Sequence, residues 1–209
     1  PASPPPTLSP ANQEHIVRCA ADIRSAREAG ASVMYIYGAH LIKNGAHLLL
    51  DELMNGGWIT HLATNGAGVI HDWEWAFHGQ STECVRSNVA TGTFGTWEET
   101  GHYLHLALLA GAIKDEGFGQ SVGRMVTEDG LTLPSKAELE SQLRDEPAHP
   151  LAPARAELLQ AMTRHDLANG HHKIQHPWKS SCVLASAIKH NVPLTVHPGI
   201  GYDIISNHP

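Results

Sequence analysis

A glycine-rich turn is the stretch of this sequence best suited to bind a ligand. Residues 59–64 form a short apolar run of strand length, residues 65–68 read Asn-Gly-Ala-Gly, and helical spacing resumes at Val69. A strand that breaks at glycines and leads into a helix leaves backbone N–H groups pointing outward. These groups attract anions together with the helix dipole. The alternative is a plain strand–helix loop in which Asn and Gly only serve the turn.

Two polar pairs have side chains that can do chemistry. His71 and Asp72 follow the glycine turn directly, and a histidine there could transfer a proton, since its pKa lies near neutrality. Glu98 and Glu99 open a later helix, where two carboxylates could hold a cationic group. Each pair also has a structural explanation, because carboxylates are favoured at helix starts and a histidine can simply be hydrogen-bonded there.

The histidines raise the alternative of a metal-dependent hydrolase. The sequence contains 16 histidines against 14 lysines and arginines together. A zinc site needs three or four converging ligands, and the sequence has neither an HExxH motif nor a cysteine near these histidines at finger spacing. We therefore expect solvated or core histidines rather than ligands. The histidines considered are two on a predicted helix and three near Asp166, namely His102, His105, His171, His172 and His176.

Three predicted strands bring three small-residue turns to one edge of a sheet. Residues 32–37, 59–64 and 193–197 indicate strands, the first of them buried. The alternation of strands with helices, such as residues 41–55, implies a parallel, doubly wound sheet. Ligands bind at the carboxyl edge of such sheets, so the three turns are expected to share a crevice. Further helices are predicted at residues 11–30, 97–114, 118–126, 136–144, 154–168 and 180–190, and loops at residues 81–95, 145–153 and 171–178.

The amino-acid composition limits the classes of protein to which the chain can belong. The 209 residues are 42% hydrophobic and 17% charged, which is typical of one globular domain, expected here at residues 11–209 behind a proline-rich tail at residues 1–10. The net charge of −7 argues against nucleic acid as a partner and suits a cationic ligand. No apolar run approaches the roughly 20 residues of a membrane span. Three widely spaced cysteines, Cys19, Cys84 and Cys182, favour a cytoplasmic location.

Five motifs occur in the order in which one enzyme family carries them. They are residues 38–43 (Gly-Ala-His-Leu-Ile-Lys), 65–72 (Asn-Gly-Ala-Gly-Val-Ile-His-Asp), 81–83 (Ser-Thr-Glu), 95–101 (Gly-Thr-Trp-Glu-Glu-Thr-Gly) and 196–205 (Val-His-Pro-Gly-Ile-Gly-Tyr-Asp-Ile-Ile). Together they resemble the deoxyhypusine synthase family, most closely its bacterial deoxyhypusine synthase-like branch. The resemblance runs from about residue 36 to residue 209.

This resemblance implies a fold and an activity. The fold is a Rossmann-like, doubly wound, mostly parallel sheet with helices on both faces, which binds NAD and usually assembles as a homotetramer. The family enzyme oxidises spermidine with NAD and passes the aminobutyl group, through a lysine imine, to a lysine of a translation factor. Homospermidine synthases give the group to putrescine instead. The segment with the imine-forming lysine is expected beyond Pro209, so the C-terminal part of the family fold would be absent, and a non-catalytic NAD-binding subunit is a further alternative.

The resemblance also implies roles for individual residues. The reaction centre would contain His71 and Asp72, and the polyamine would lie near Glu98, Glu99 and Asp203. The cofactor-binding residues would lie in the three turns, at Gly38, Ala39, His40, Thr64, Asn65, Gly66, Ala67, Gly68, Gly199 and Ile200.

Overall fold

The chain folds around a small parallel sheet. The computed structural model describes residues 7–81 and 84–207. Within them the strands β1 (Met34–Ile36), β2 (His61–Thr64) and β5 (Leu194–Val196) form a parallel sheet in the order β1-β2-β5, and β3 (Gly130–Leu133) and β4 (Gly170–Lys173) form a separate antiparallel pair. The α/β class and the parallel pairing of the three predicted strands are therefore confirmed.

Most of the predicted helices are present within a few residues. One helix predicted for residues 41–55 is divided in two, because Gly45 between the halves has a φ of 78°. Residues 1–6 of the predicted tail, and Thr82 and Glu83 of the third motif, lie outside the described residues. The α-helices are α1 (Pro10–Glu28), α2 (Ala39–Lys43), α3 (His47–Asn55), α4 (Gly66–His78), α5 (Val85–Thr91), α6 (Glu98–Ala112), α7 (Phe118–Glu128), α8 (Lys136–Asp145), α9 (Ala152–Arg164) and α10 (Val183–Lys189), with 3-10 helices at Lys179–Ser181 and Ile204–Asn207.

Three sequence predictions about the elements need correction. The region predicted as a loop at residues 81–95 contains α5, and the one at residues 171–178 begins inside β4. The polar sequence of β4, Gly-His-His-Lys, lacks the apolar alternation by which strands are recognised, so its pairing with β3 was missed. In addition, the described parallel strands follow one another across the sheet in chain order. The reversal of strand order that defines a doubly wound sheet is therefore not seen among them.

Strand β1 is an exposed edge strand, whereas the sequence predicted a buried one. Met34, Tyr35 and Ile36 are all exposed, Ile36 to 73%. Within the described residues β1 pairs with β2 only, through the register Met34 to His61 and Ile36 to Ala63. The preceding helix, α1, has no buried residue. Apolar and β-branched residues suit an edge strand as well as a central one, so the composition of β1 could not reveal its exposure.

Helix α4 runs through the hydrophobic core. Trp73 on this helix is fully buried and stacks on Phe77, with their ring centroids 4.8 Å apart. The indole N–H of Trp73 donates to Nε2 of His176 at 3.1 Å, so its one polar atom is satisfied. Burying a large apolar side chain stabilises a fold by about 1.5–3 kcal/mol. Because α4 begins directly after β2, the core fixes the position of the glycine turn.

Candidate functional site

The three small-residue turns meet at one edge of the sheet, as predicted. Because β1, β2 and β5 are parallel, the turns that follow them leave from the same side. The N–H of Tyr37 donates to the carbonyl of Ala63 at 3.0 Å, and the N–H of His197 donates to the carbonyl of Thr64 at 2.8 Å. The hydroxyl of Thr64 donates to the carbonyl of Tyr37 at 2.9 Å. Thr64 therefore ties the first and third turns to the second.

The N–H groups of Gly66 and Gly68 at the start of α4 have acceptors within the protein. Asn65 is the N-cap, and its side-chain oxygen accepts from the N–H of Gly68 at 2.9 Å. Oδ2 of Asp203 accepts from the N–H of Gly66 at 2.8 Å and from the N–H of Gly199 at 3.4 Å. A buried carboxylate at this end of a helix is favoured by the dipole and by the backbone donors. The expectation that the N–H groups of Gly66 and Gly68 point outward to an external anion is therefore corrected.

The contact between the second and third turns depends on the absence of a side chain at Gly66. A Cβ atom on Gly66 would lie 2.5 Å from Oδ1 of Asp203, and one on Gly199 would lie 1.8 Å from Cζ of Tyr202. Both distances are shorter than any non-bonded contact between these atoms. Gly66 thus allows the Asp203 carboxylate to reach α4, which gives this predicted cofactor-binding glycine a role in packing, whereas Gly199 lies against the exposed ring of Tyr202.

A nicotinamide dinucleotide at this edge would reach the backbone at the first and third turns. Nothing lies within 4 Å of a Cβ atom built on Gly38, so a ligand can approach the backbone there. Ala39 and His40 follow Gly38 as the first residues of α2, and Ile200 in the third turn is fully exposed. At α4, by contrast, the carboxylate of Asp203 takes the position at which a pyrophosphate would be bound. The phosphates would therefore have to lie away from α4.

His71 lines a small cavity behind the glycine turn. The cavity measures about 110 Å³, and its other walls include Ala67 from the turn and Glu74. Nδ1 of His71 is hydrogen-bonded to Oγ of Ser81 and lies 3.5 Å from Oε2 of Glu74. Oε1 of Glu74 accepts from the hydroxyl of Thr100 at 3.2 Å. His71 and Glu74 are one helical turn apart on the same side of α4, so both face the cavity.

Sequence reasoning missed Glu74. The residue is a carboxylate only 6% exposed, on a helix rich in apolar residues. Charged residues are rarely buried without a reason. Its spacing of three residues from His71 was the available signal, because residues i and i+3 share one face of a helix.

Asp72 lies on another side of α4, where its hydrogen-bond partners belong to the protein core. Its side chain is fully buried, and its two carboxylate oxygens accept from the backbone N–H groups of Val183 and Leu184 at 2.9 and 2.7 Å. Asp72 thereby satisfies the first turn of α10. Burial raises the pKa of Asp72, while the two backbone donors act in the opposite direction. A buried carboxylate that holds a helix start has no surface for a substrate, so this geometry does not support the predicted catalytic role.

Two buried side chains adjoin Asp72. Nε2 of His47 lies 3.7 Å from Oδ1 of Asp72, and burial lowers the pKa of His47 while the nearby carboxylate opposes this effect. The thiol of Cys182 donates to Oδ2 of Asp72 at 3.2 Å, and burial raises the pKa of the thiol well above its ordinary value. This cluster is closed to solvent and packs α4 against α10 and α3.

The predicted substrate-binding residues lie in two places. Asp203 is buried at the start of α4, as described, whereas Glu98 and Glu99 are exposed in the first turn of α6. The residues on either side of this acidic pair belong to the cavity region, since Trp97 lines the cavity and Thr100 donates to Glu74. The acidic pair is therefore next to the cavity in sequence but faces solvent.

The described residues contain no metal-binding cluster. No group of three or more histidine, cysteine, aspartate or glutamate side chains in residues 7–81 and 84–207 converges in a way that could hold a metal ion. His171 and His172 lie on the paired strand β4, and His176 is buried against Trp73. In the same part of the chain, no helix has the length and apolar character needed to cross a bilayer.

Comparisons with known proteins give no family assignment. No protein-family model and no curated protein matches the chain. It is similar to ArgZ, an arginine dihydrolase from cyanobacteria (17% identity, TM-score 0.39), to AgrE in a complex with L-arginine (16%, 0.44) and to a LOR/SDH protein from Methanococcus maripaludis S2 (17%, 0.42). These likenesses cover 89%, 95% and 97% of this chain but only 18%, 21% and 44% of the three others. Similarity at this level does not identify a function.

Proposed function

We propose that the chain is a deoxyhypusine synthase-like protein that takes part in the NAD-dependent oxidation of a polyamine such as spermidine. The observation that carries the proposal is the meeting of three small-residue turns at the carboxyl edge of one parallel sheet. This edge is where ligands bind in open α/β sheets. The sequence motifs that resemble the family lie mainly in these turns and in the first turn of α6.

The dinucleotide would be held at the first and third turns. Gly38, Ala39 and His40 would contact it on one side, and Gly199 and Ile200 on the other. When bound, the nicotinamide supplies the acceptor for a hydride from the carbon next to the amine nitrogen. The roles predicted for Asn65, Gly66 and Gly68 become indirect, because their backbone and side-chain groups hold Asp203 and the start of α4 in position.

His71 is the residue best placed to handle a proton. Its Nδ1 is hydrogen-bonded to Ser81, which fixes the orientation of the ring and leaves Nε2 as the nitrogen for a substrate proton. It stands on α4, less than two helical turns from the glycine turn, and lines the cavity. The proton of an amine nitrogen would pass to this ring as the carbon–nitrogen double bond forms.

The electrostatics favour a cationic substrate. The chain carries a net charge of −7, which attracts cations toward its surface. The exposed carboxylates of Glu98 and Glu99 stand at the start of α6, next to the cavity wall at Trp97. Transfer of the aminobutyl group to a translation-factor lysine or to putrescine, and assembly as a homotetramer, are further parts of this proposal that follow from the resemblance.

The test is spermidine-dependent reduction of NAD by the full chain, followed by the absorbance of NADH. The informative variant is Gly38→Val, because the open space at Gly38 accepts a side chain without disturbing the fold but would obstruct a ligand. Gly117→Val is a matched control: Gly117 is also an N-cap without a side-chain hydrogen bond, with nothing within 4 Å of its Cβ position. We expect activity in wild type and Gly117→Val, and at least a tenfold loss in Gly38→Val. Absence of NADH formation in wild type would refute the proposed oxidation.

A further inference from the structure

We propose that the cavity behind the glycine turn is a binding site for the primary ammonium group of a small aliphatic amine, with Glu74 as the anionic ligand. The inference rests on the proposed function only for the choice of an amine as ligand. The site itself is argued from the cavity and the side chains that line it. It differs from the predicted polyamine residues Glu98, Glu99 and Asp203, none of which lines the cavity.

Glu74 offers an oxygen that the described residues leave without a hydrogen bond. The residue is 94% buried, since its exposed fraction is 6%. Its Oε1 accepts from Thr100, but its Oε2 is buried and has no hydrogen-bond partner in the described part of the chain. The nearest basic atom, Nδ1 of His71, lies 3.5 Å away and is already hydrogen-bonded to Ser81. A buried carboxylate oxygen without a partner is costly, and an ammonium group would supply the missing donors.

The remaining walls suit an alkyl chain. Ile70, Val85 and Phe94 contribute apolar surface, and Trp97 contributes an indole ring. Methylene groups lose contact with water against such walls, and aromatic faces attract cations. The cavity volume of about 110 Å³ is well below the roughly 300 Å³ at which pockets begin to hold drug-sized ligands. The cavity therefore admits a short amine or the end of a longer one.

The positive charge of Lys43 at the cavity gives a second way to test this site. Its side chain also lines the cavity, but it is exposed and forms no ion pair with Glu74 in the described residues. Lys43 therefore stands at the solvent side, where it repels an incoming cation without neutralising Glu74. Water and salt weaken this repulsion. We expect removal of the lysine charge to tighten the binding of an amine by a few fold.

Calorimetric titration of the full chain with n-butylamine and putrescine, without NAD, tests the site. Butan-1-ol is the neutral probe of the same length. We expect both amines to bind wild type at least tenfold more tightly than butan-1-ol does. Glu74→Gln removes the charge but keeps the shape, and should weaken amine binding at least tenfold. Glu157→Gln makes the same charge change at an exposed position on α9 and should have no effect.

A second variant guards against a folding artefact. Val85 is half exposed, so Val85→Phe is expected to fold and to fill the cavity, which should abolish amine binding while Glu74 stays intact. Lys43→Met should tighten it. Equal affinity in wild type and Glu74→Gln, or equal affinity for butylamine and butan-1-ol, would overturn the assignment. The titration contains no NAD, so it tests amine binding independently of the oxidation. If the chain binds amines but never reduces NAD, the proposed function is refuted and the amine site stands.

Discussion

Replacing Asp203 by alanine tests whether the start of α4 is stabilised by a carboxylate of the protein itself, and whether an external anion can take its place. The substitution removes the carboxylate that accepts from Gly66 at 2.8 Å and from Gly199 at 3.4 Å. A hydrogen bond to a charged group contributes about 1.5–3 kcal/mol, and the longer contact adds little. We therefore expect the free energy of unfolding to fall by about 2 kcal/mol. For a chain of this size that is a decrease in Tm of roughly 4–8 °C.

The assay is urea unfolding in chloride and in phosphate buffer at equal ionic strength. Without Asp203, the N–H of Gly66 faces an empty position at a helix start, where phosphate binds readily. Phosphate should therefore restore part of the lost stability in Asp203→Ala. Ser135→Ala is the matched control, because Ser135 caps the exposed helix α8 by accepting from the N–H of Glu138 at 3.1 Å. It should cost about 1 kcal/mol.

Two results would refute this reasoning. If Asp203→Ala were as stable as wild type, the contact between the third turn and α4 would not contribute to folding. If phosphate stabilised Asp203→Ala, Ser135→Ala and wild type equally, its effect would be the general exclusion of phosphate from protein surfaces rather than binding at α4.

The remaining predictions concern buried polar groups. Burial lowers the pKa of His176 from 6.5 to about 4. As the pH falls, this histidine is therefore protonated in the unfolded chain before it is protonated in the folded one. The contribution of neutral His176 to the free energy of unfolding is therefore fully present above about pH 6.5. It is lost as the pH falls toward 4, by on the order of 3 kcal/mol. His176→Phe should flatten this pH dependence in unfolding experiments and should also cost stability at pH 8, since the indole N–H of Trp73 loses its acceptor; an unchanged pH profile would contradict the assignment. Asp72→Ala should destabilise the fold by about 3 kcal/mol or more, because it leaves the N–H groups of Val183 and Leu184 buried without acceptors. Wild-type stability of this variant would exclude the capping role.

The sequence was informative where short-range pattern decides the structure. Residues 59–64 and 193–197 were recognised as strands from their apolar, β-branched composition, and the alternation with helices gave their parallel pairing. Helix boundaries were recognised through Ser135 at the start of α8 and through Gly56 at the end of α3. These signals depend on neighbouring residues, so they can be read without knowledge of the fold.

The site depended on contacts between distant parts of the chain. Asp203 reaches Gly66 across 137 positions in the sequence, and nothing near residue 66 indicates that its N–H has an internal acceptor. Asp72 likewise meets Val183 across 111 positions. Ile36 is exposed because β1 has no second neighbour among the described strands. The composition of a strand does not indicate how many neighbours it has. Local pattern therefore located the edge at which the three turns meet but not the partners of its polar groups.

A calorimetric titration of the full chain with NAD tests the central claim most directly. We expect NAD to bind wild type and Gly117→Val with the same affinity, and to bind Gly38→Val at least tenfold more weakly, because the new side chain stands in the open first turn. Failure of wild type to bind NAD, or equal affinity of all three proteins, would contradict a dinucleotide site at this edge of the sheet.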